Sequence, residues 1–331
     1  MAEYKPPIIY RNGHANTIAA ATFLRKAYAL RVSHNLREHS ESLILSLENN
    51  VQLQGLLTTH KDTSQTSNSF SGQKPLVMIL HGWLGCADSL YLLPIASKLH
   101  DLGFNIFRLN FRDHGGTQHL NEDLFHSCRL DEALNATQAI QQQIPHSNFY
   151  IVGFSLGGNF ALRIGSKAQD KNLTIDKIIS ICPVMNATNA LDETNSMLKI
   201  YTEYYLQRWK NMLKVKHKLF PDNYDLATIN KQRSLTNMTE HLLLKYTEFN
   251  SVKSYLEGYS ITGDYLNSLS VDSDVYIAED DPVIPSNDWE NLHASEYLNI
   301  HRTQFGGHCG YLNGLFNMNW IDEQVIKNLQ T

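Results

Sequence analysis

Asn148-Phe149-Tyr150-Ile151-Val152-Gly153-Phe154-Ser155-Leu156-Gly157-Gly158 decides the reading of this chain. Residues 148–152 are rich in β-branched and aromatic side chains and predict a strand, while Phe160, Ala161, Ile164 and Ala168 recur at helical spacing after Leu156. Between strand and helix stands small-x-Ser-x-small, the sequence form of a sharp turn that lifts a serine hydroxyl clear of a sheet. Side chains at 153 and 157 would collide with the neighbouring strand and helix, so the turn requires glycine there. The five-residue pattern alone recurs by chance, and its flanking elements carry the reading. Ser155 is the candidate nucleophile.

Outward from this turn, strands and helices alternate. Strands are predicted at 76–80, 104–109, 148–153 and 175–182, with helices at 88–101, 129–143 and 156–168 between or after them. That rhythm predicts an α/β protein with a mostly parallel central sheet and helices on both faces. It resumes with strands at 274–279 and 298–304 and a final helix at 318–329. Ser42 to Leu47 and Val51 to Thr58, around Glu48-Asn49-Asn50, predict an antiparallel hairpin, and the Ser/Thr/Gln/Asn-rich stretch from Lys61 to Lys74 predicts a surface loop. The interruption, 184–270, is helical by pattern and predicts a cap over the site. The expected division is therefore 1–183 and 271–331 for the core and 184–270 for the cap.

A second motif follows the strand Leu76-Val77-Met78-Ile79-Leu80, namely His81-Gly82-Trp83-Leu84-Gly85. A His-Gly loop at this place supplies one backbone N–H to a developing oxyanion, and the residue after the nucleophile supplies the other. Trp83 and Leu156 are the expected donors. The alternative is an ordinary glycine-rich loop.

A serine nucleophile needs a base and a carboxylate to orient it, here expected in the order Ser, acid, His. Glu279-Asp280-Asp281-Pro282 ends a late strand, and Asp281 is the chosen acid, with Asp280 the runner-up and Glu279 a weaker alternative. His308, in Gly306-Gly307-His308-Cys309-Gly310, is the expected base, its flanking glycines allowing the loop to hold an imidazole over Ser155. Of the 15 histidines, His81 and His114 also lie in motif loops, but neither follows the acid. Arg112 and Asp113 are expected to brace the oxyanion loop.

With 42% hydrophobic residues in 331, the chain can bury a large core, and its net charge of −5 provides no field for binding nucleic acid. Cys86, Cys128, Cys182 and Cys309 lack C-x-x-C or metal spacing, so reduced cytoplasmic thiols and no metal or cofactor are expected. Neither a signal peptide nor an apolar run long enough to span a bilayer is read. The stretch Met197, Leu198, Ile200, Tyr201, Tyr204, Tyr205, Leu206, Trp209, Met212, Leu213 is expected in the cap core, with an acyl pocket as its other use. Arg208, Lys210, Lys214, Lys216 and Lys218 read as a solvated basic face, with peripheral contact to anionic lipid the alternative.

These motifs together resemble the YheT-like group of α/β-hydrolases. The resemblance runs from Asn12-Gly13-His14 with Thr17-Ile18, through the His81 loop, Asn110-Phe111-Arg112-Asp113-His114-Gly115 and the Ser155 turn with Asn159, to Asp281-Pro282 and Gly306-Gly307-His308-Cys309-Gly310-Tyr311. It implies the α/β-hydrolase fold, Ser155, Asp281 and His308 at the charge-relay positions, and hydrolysis of short-chain or lipid carboxylic esters. Residues 246–269 lack the Arg- and Asp-rich cap motifs usual in that group. An acyltransferase with the same triad and a non-enzymatic binding protein are the other readings.

Overall fold

The computed structural model describes residues 3–60, 73–196, 199–290, 292–293 and 295–330. Its strands are β1 (Glu41–Ser46), β2 (Gln52–Thr58), β3 (Leu76–Leu80), β4 (Asn105–Asn110), β5 (Phe149–Phe154), β6 (Lys177–Ile181), β7 (Ser273–Ala278) and β8 (Leu298–Thr303). They form a sheet of order β1-β2-β4-β3-β5-β6-β7-β8. The β1–β2 hairpin joins antiparallel to β4, and every pairing from β4 to β8 is parallel.

Period-two alternation explains why both faces are covered. On β3, Leu76, Met78 and Leu80 enter one apolar cluster and Val77 and Ile79 enter the other. Against the first face pack α5 (Leu130–Gln143) and α6 (Leu156–Ser166), which contribute Ile140, Phe160, Ala161 and Ile164. Against the second pack α4 (Leu93–Asp101) and α12 (Trp320–Leu329), with Ile95, Leu99, Ile321 and Val325. Pro94 in the first turn of α4 starts that helix later than position 88, where the sequence pattern alone put it.

The N-terminal segment, for which no helix was expected, forms α1 (Gly13–Ala20), α2 (Phe23–Val32) and α3 (His34–Glu38). Asn12 and Thr22 start the first two by accepting the Ala15 and Arg25 N–H groups. Between β6 and β7 lie α7 (Ala187–Ser196), α8 (Lys199–Leu219), α9 (Leu226–Lys231), α10 (Leu235–Tyr246) and α11 (Val252–Tyr259). Their own core gathers Leu213, Tyr224, Ile229, Met238 and Leu242, with Leu124 entering from the sheet domain. Residues 61–72 of the surface loop expected at 61–74, and the pocket candidates Met197 and Leu198, lie outside the described residues.

The solvated basic face expected on α8 is overturned at Lys210 and Lys216, whereas Arg208 and Lys218 are exposed and Lys214 is half-buried. Lys216 is fully buried and paired with buried Asp113 at 2.7 Å. Its ammonium also donates to the carbonyls of Asn121 and Asp123. Lys210 is buried too and donates to the carbonyls of Asn230 and Gln232. Lys210 and Lys216 therefore fasten α8 to its neighbours. None of the helices among the described residues is long and apolar enough to cross a membrane.

Candidate active site

Every expected site residue lies at the C-terminal ends of the parallel strands, where open α/β sheets leave a crevice. Ser155 follows β5 with φ +54°, a left-handed conformation that costs a non-glycine residue energy and is held by its surroundings. A Cβ at 153 would come within 2.3 Å of the Gly157 carbonyl oxygen, and one at 157 within 2.3 Å of the Leu80 oxygen. The two glycines are thus steric requirements of the turn.

Asp281, after β7, and His308, after β8, converge on this serine. His308 Nε2 is 2.9 Å from Ser155 Oγ, and His308 Nδ1 is 2.9 Å from Asp281 Oδ2. Since a carboxylate only accepts, Nδ1 carries the proton and Nε2 is left with a lone pair facing the hydroxyl. Asp281 Oδ1 accepts the N–H groups of Val283 and Ile284, which fixes the carboxylate plane. Asp280, the runner-up, is turned away and accepts the Gly307 N–H at 2.8 Å. Adjacent carboxylates thus divide the tasks: one meets the imidazole, the other its loop.

The N-terminal Asn-Gly-His segment supports this arrangement in a way that sequence reasoning missed. Thr17 Oγ1 accepts the His308 N–H at 2.8 Å and donates to the Gly13 carbonyl. A Cβ at Gly13 would overlap the Asp280 carbonyl oxygen at 1.7 Å, so α1 can dock on the acid turn only through glycine. Buried Asn16 accepts the Leu312 N–H and donates to the Tyr10 carbonyl. Gly13 and Thr17 were visible only as part of a family resemblance and Asn16 was not singled out, because the His308 and Leu312 partners of Thr17 and Asn16 lie 291 and 296 residues away.

Trp83 and Leu156 face the same crevice. Among the described residues no acceptor is found for either backbone N–H. Unpaired donors beside a serine hydroxyl are what an oxyanion site provides before substrate arrives. Arg208 on α8 donates to the Leu84 carbonyl at 2.6 Å, and the Trp83 ring lies 5.7 Å from Tyr205 and 5.0 Å from Trp209. Helix α8 therefore fixes the shape of this loop.

Arg112 and Asp113 do not brace it directly, contrary to expectation. Arg112 pairs with Glu132 at 2.7 Å, and Asp113 takes Lys216 and the Phe125 N–H. The neighbouring histidines brace the loops instead. His114 Nε2 accepts the Leu84 N–H and His81 Nε2 accepts the Phe111 N–H, while each Nδ1 donates to a carbonyl. Both rings must be neutral to do so. Burial holds His114 down to about 4, and it lowers His81 as well.

This has a consequence for acid stability. The unfolded chain takes up a proton on His114 near its ordinary value of 6.5, and the folded chain does so only near 4. Stability is therefore complete above pH 6.5 and falls as the pH drops towards 4, by about 3 kcal/mol for this group. His114→Gln keeps an acceptor for Leu84 and removes the titration. Its melting temperature is expected to fall less than that of the wild type between pH 7 and pH 4.5 in a thermal scan; equal slopes would exclude His114 as the cause.

A cavity of about 550 Å³ opens over Ser155 and His308. Its lining is largely apolar, including Val184, Leu191, Met212, Leu256 and Ile284 with Tyr205 and Trp209. Tyr204, Tyr205, Trp209 and Met212 thus line the cavity, while Leu213 belongs to the core of the helical segment. Cys309 also borders the cavity, but burial pushes its thiol up, which disfavours the nucleophilic thiolate.

The chain belongs to the alpha/beta hydrolase fold family, whose sequence profile matches residues 75–315. It is similar to "Putative esterase YheT" of Escherichia coli (strain K12), 22% identical over 82% of this chain and 81% of that protein. It is also similar to monoacylglycerol lipase ABHD2 of Mus musculus, 26% identical over 57% of this chain, and spans only 49% of that lipase's length. Among solved structures, the esterase Pf2001 of Pyrococcus furiosus superposes with a TM-score of 0.56 at 17% identity, covering 90% of this chain and 92% of that one. That likeness concerns the fold.

Proposed function

We propose that the chain is a serine hydrolase of carboxylic esters that works through an acyl-enzyme on Ser155. The observation that carries this reading is the hydrogen-bonded series Asp281, His308, Ser155 opening on a largely apolar cavity. Relatives named as an esterase and a monoacylglycerol lipase support it.

In this mechanism His308 Nε2 takes the Ser155 proton as Oγ attacks the ester carbonyl. The tetrahedral oxyanion is held by the N–H groups of Trp83 and Leu156, and Asp281 keeps the imidazole in the Nδ1–H tautomer and stabilises its charge. His308 then protonates the departing alcohol, and a water activated by the same nitrogen releases the acid. Segment 184–270 acts as the cap. The apolar residues it contributes to the cavity wall, among them Leu191, Met212 and Leu256, select an acyl chain.

The test is turnover of p-nitrophenyl esters from acetate to palmitate. Each buried methylene is worth about 0.8 kcal/mol, so kcat/KM is expected to rise about fourfold per methylene until the chain fills the cavity and then to fall. No turnover of any ester by the folded protein would contradict the reading.

A further inference from the structure

Two buried thiols that the proposed reaction does not use lie beside its base. Cys182 follows β6 and Cys309 follows His308; both are almost fully buried, and both occupy the left-handed region, at φ +46° and +57°. Their Sγ atoms and a ring nitrogen of His308 all lie within 4.8 Å of one another. The contacts of the thiols are long: Cys309 to the Ile181 carbonyl at 3.7 Å, and Cys182 to the Gly307 carbonyl at 3.8 Å and the Tyr311 hydroxyl at 3.7 Å. Cys309 and His308 both line the cavity over Ser155, with Cys182 behind them.

We propose that Cys182, Cys309 and His308 form an inhibitory site for a thiophilic divalent cation of the zinc type. Tetrahedral zinc with thiolate bonds of about 2.3 Å and an imidazole bond of about 2.0 Å places its ligand atoms roughly 3.6–3.8 Å apart. The three side chains reach that spacing by closing inward by about 1 Å or less, without a new backbone path. Two thiolates and an imidazole suit soft or borderline d¹⁰ cations and exclude calcium and magnesium, which prefer oxygen. Binding releases both thiol protons to solvent and occupies an imidazole lone pair. The proposed base is then unable to take the serine proton. The role as an off-switch rests on the reading of His308 as base, whereas the site itself does not.

Two measurements separate these claims. Cadmium, titrated into the full chain, is expected to give thiolate-to-metal absorption near 240 nm that saturates at one ion per chain. One equivalent should also protect Cys182 and Cys309, but not Cys86 and Cys128, from alkylation read by peptide mass spectrometry. Zinc should inhibit ester turnover reversibly, with chelator restoring the rate. Cys182→Ala, scored against its own metal-free rate, should need at least tenfold more zinc. The protection experiment uses unaltered protein and so does not depend on the variant folding. Absence of thiolate absorption, protection of the wrong cysteines, or equal zinc sensitivity in Cys182→Ala would overturn the site. Thiolate binding in a chain that hydrolyses no ester would keep the site and discard the reaction.

Discussion

Ser155→Ala is expected to lower ester turnover by about 10⁶-fold, to the level of the buffer reaction plus whatever oxyanion binding alone supplies. The size follows from the proposed reaction, in which a single oxygen, 2.9 Å from His308 Nε2, would be both the attacking atom and the site of the covalent intermediate. Its loss leaves the base with nothing to activate at that position. The fold should hardly change, because Gly153 and Gly157 dictate the turn sterically and a methyl group at 155 fits where a hydroxymethyl did. Relief of a half-buried polar group at a strained position can even raise the melting temperature slightly. Turnover within tenfold of the wild type would require another nucleophile.

Lys216→Met is expected to produce the largest loss of stability, about 3–5 kcal/mol. The ammonium is fully buried with the Asp113 carboxylate at 2.7 Å, and removing it leaves that charge without its counter-ion inside the protein. The Asn121 and Asp123 carbonyls lose their donor as well. Because Lys216 lies on α8 and Asp113 follows β4, the pair joins the helical segment to the sheet domain. The double variant Lys216→Met/Asp113→Asn should recover more than half of the loss, since asparagine carries no charge, tolerates the φ of +63° at this position and can still accept the Phe125 N–H. Urea denaturation checks both. A single variant as stable as the wild type would mean that water reaches the pair.

Much of the fold was legible because its signals are local. The strand before Ser155, the glycines around it and the run 76–80 announce themselves through composition and spacing, and the parallel sheet follows from their alternation. The acid and base could be chosen because a strand end before Pro282 and a glycine-flanked histidine are also local patterns. What could not be read depends on distant partners. Lys216 looks like its solvated neighbours until Asp113 and the 121–123 carbonyls surround it. Thr17 looks unremarkable until its hydroxyl meets the His308 N–H. Cys182 and Cys309 have no ligand spacing in sequence, since one follows β6 and the other sits in the loop after β8, and only the sheet order brings them together. The late start of α4 follows from a proline that favours the first turn of a helix.

The central claim, that Ser155 is an activated nucleophile, is most directly tested by treating the folded protein with a fluorophosphonate and mapping the adduct by tandem mass spectrometry. The account predicts a single phosphonyl group on Ser155, blocked by prior occupation of the cavity with a long-chain acyl ester analogue. A folded protein that takes up no phosphonyl group, or takes it up on a residue other than Ser155, would contradict it.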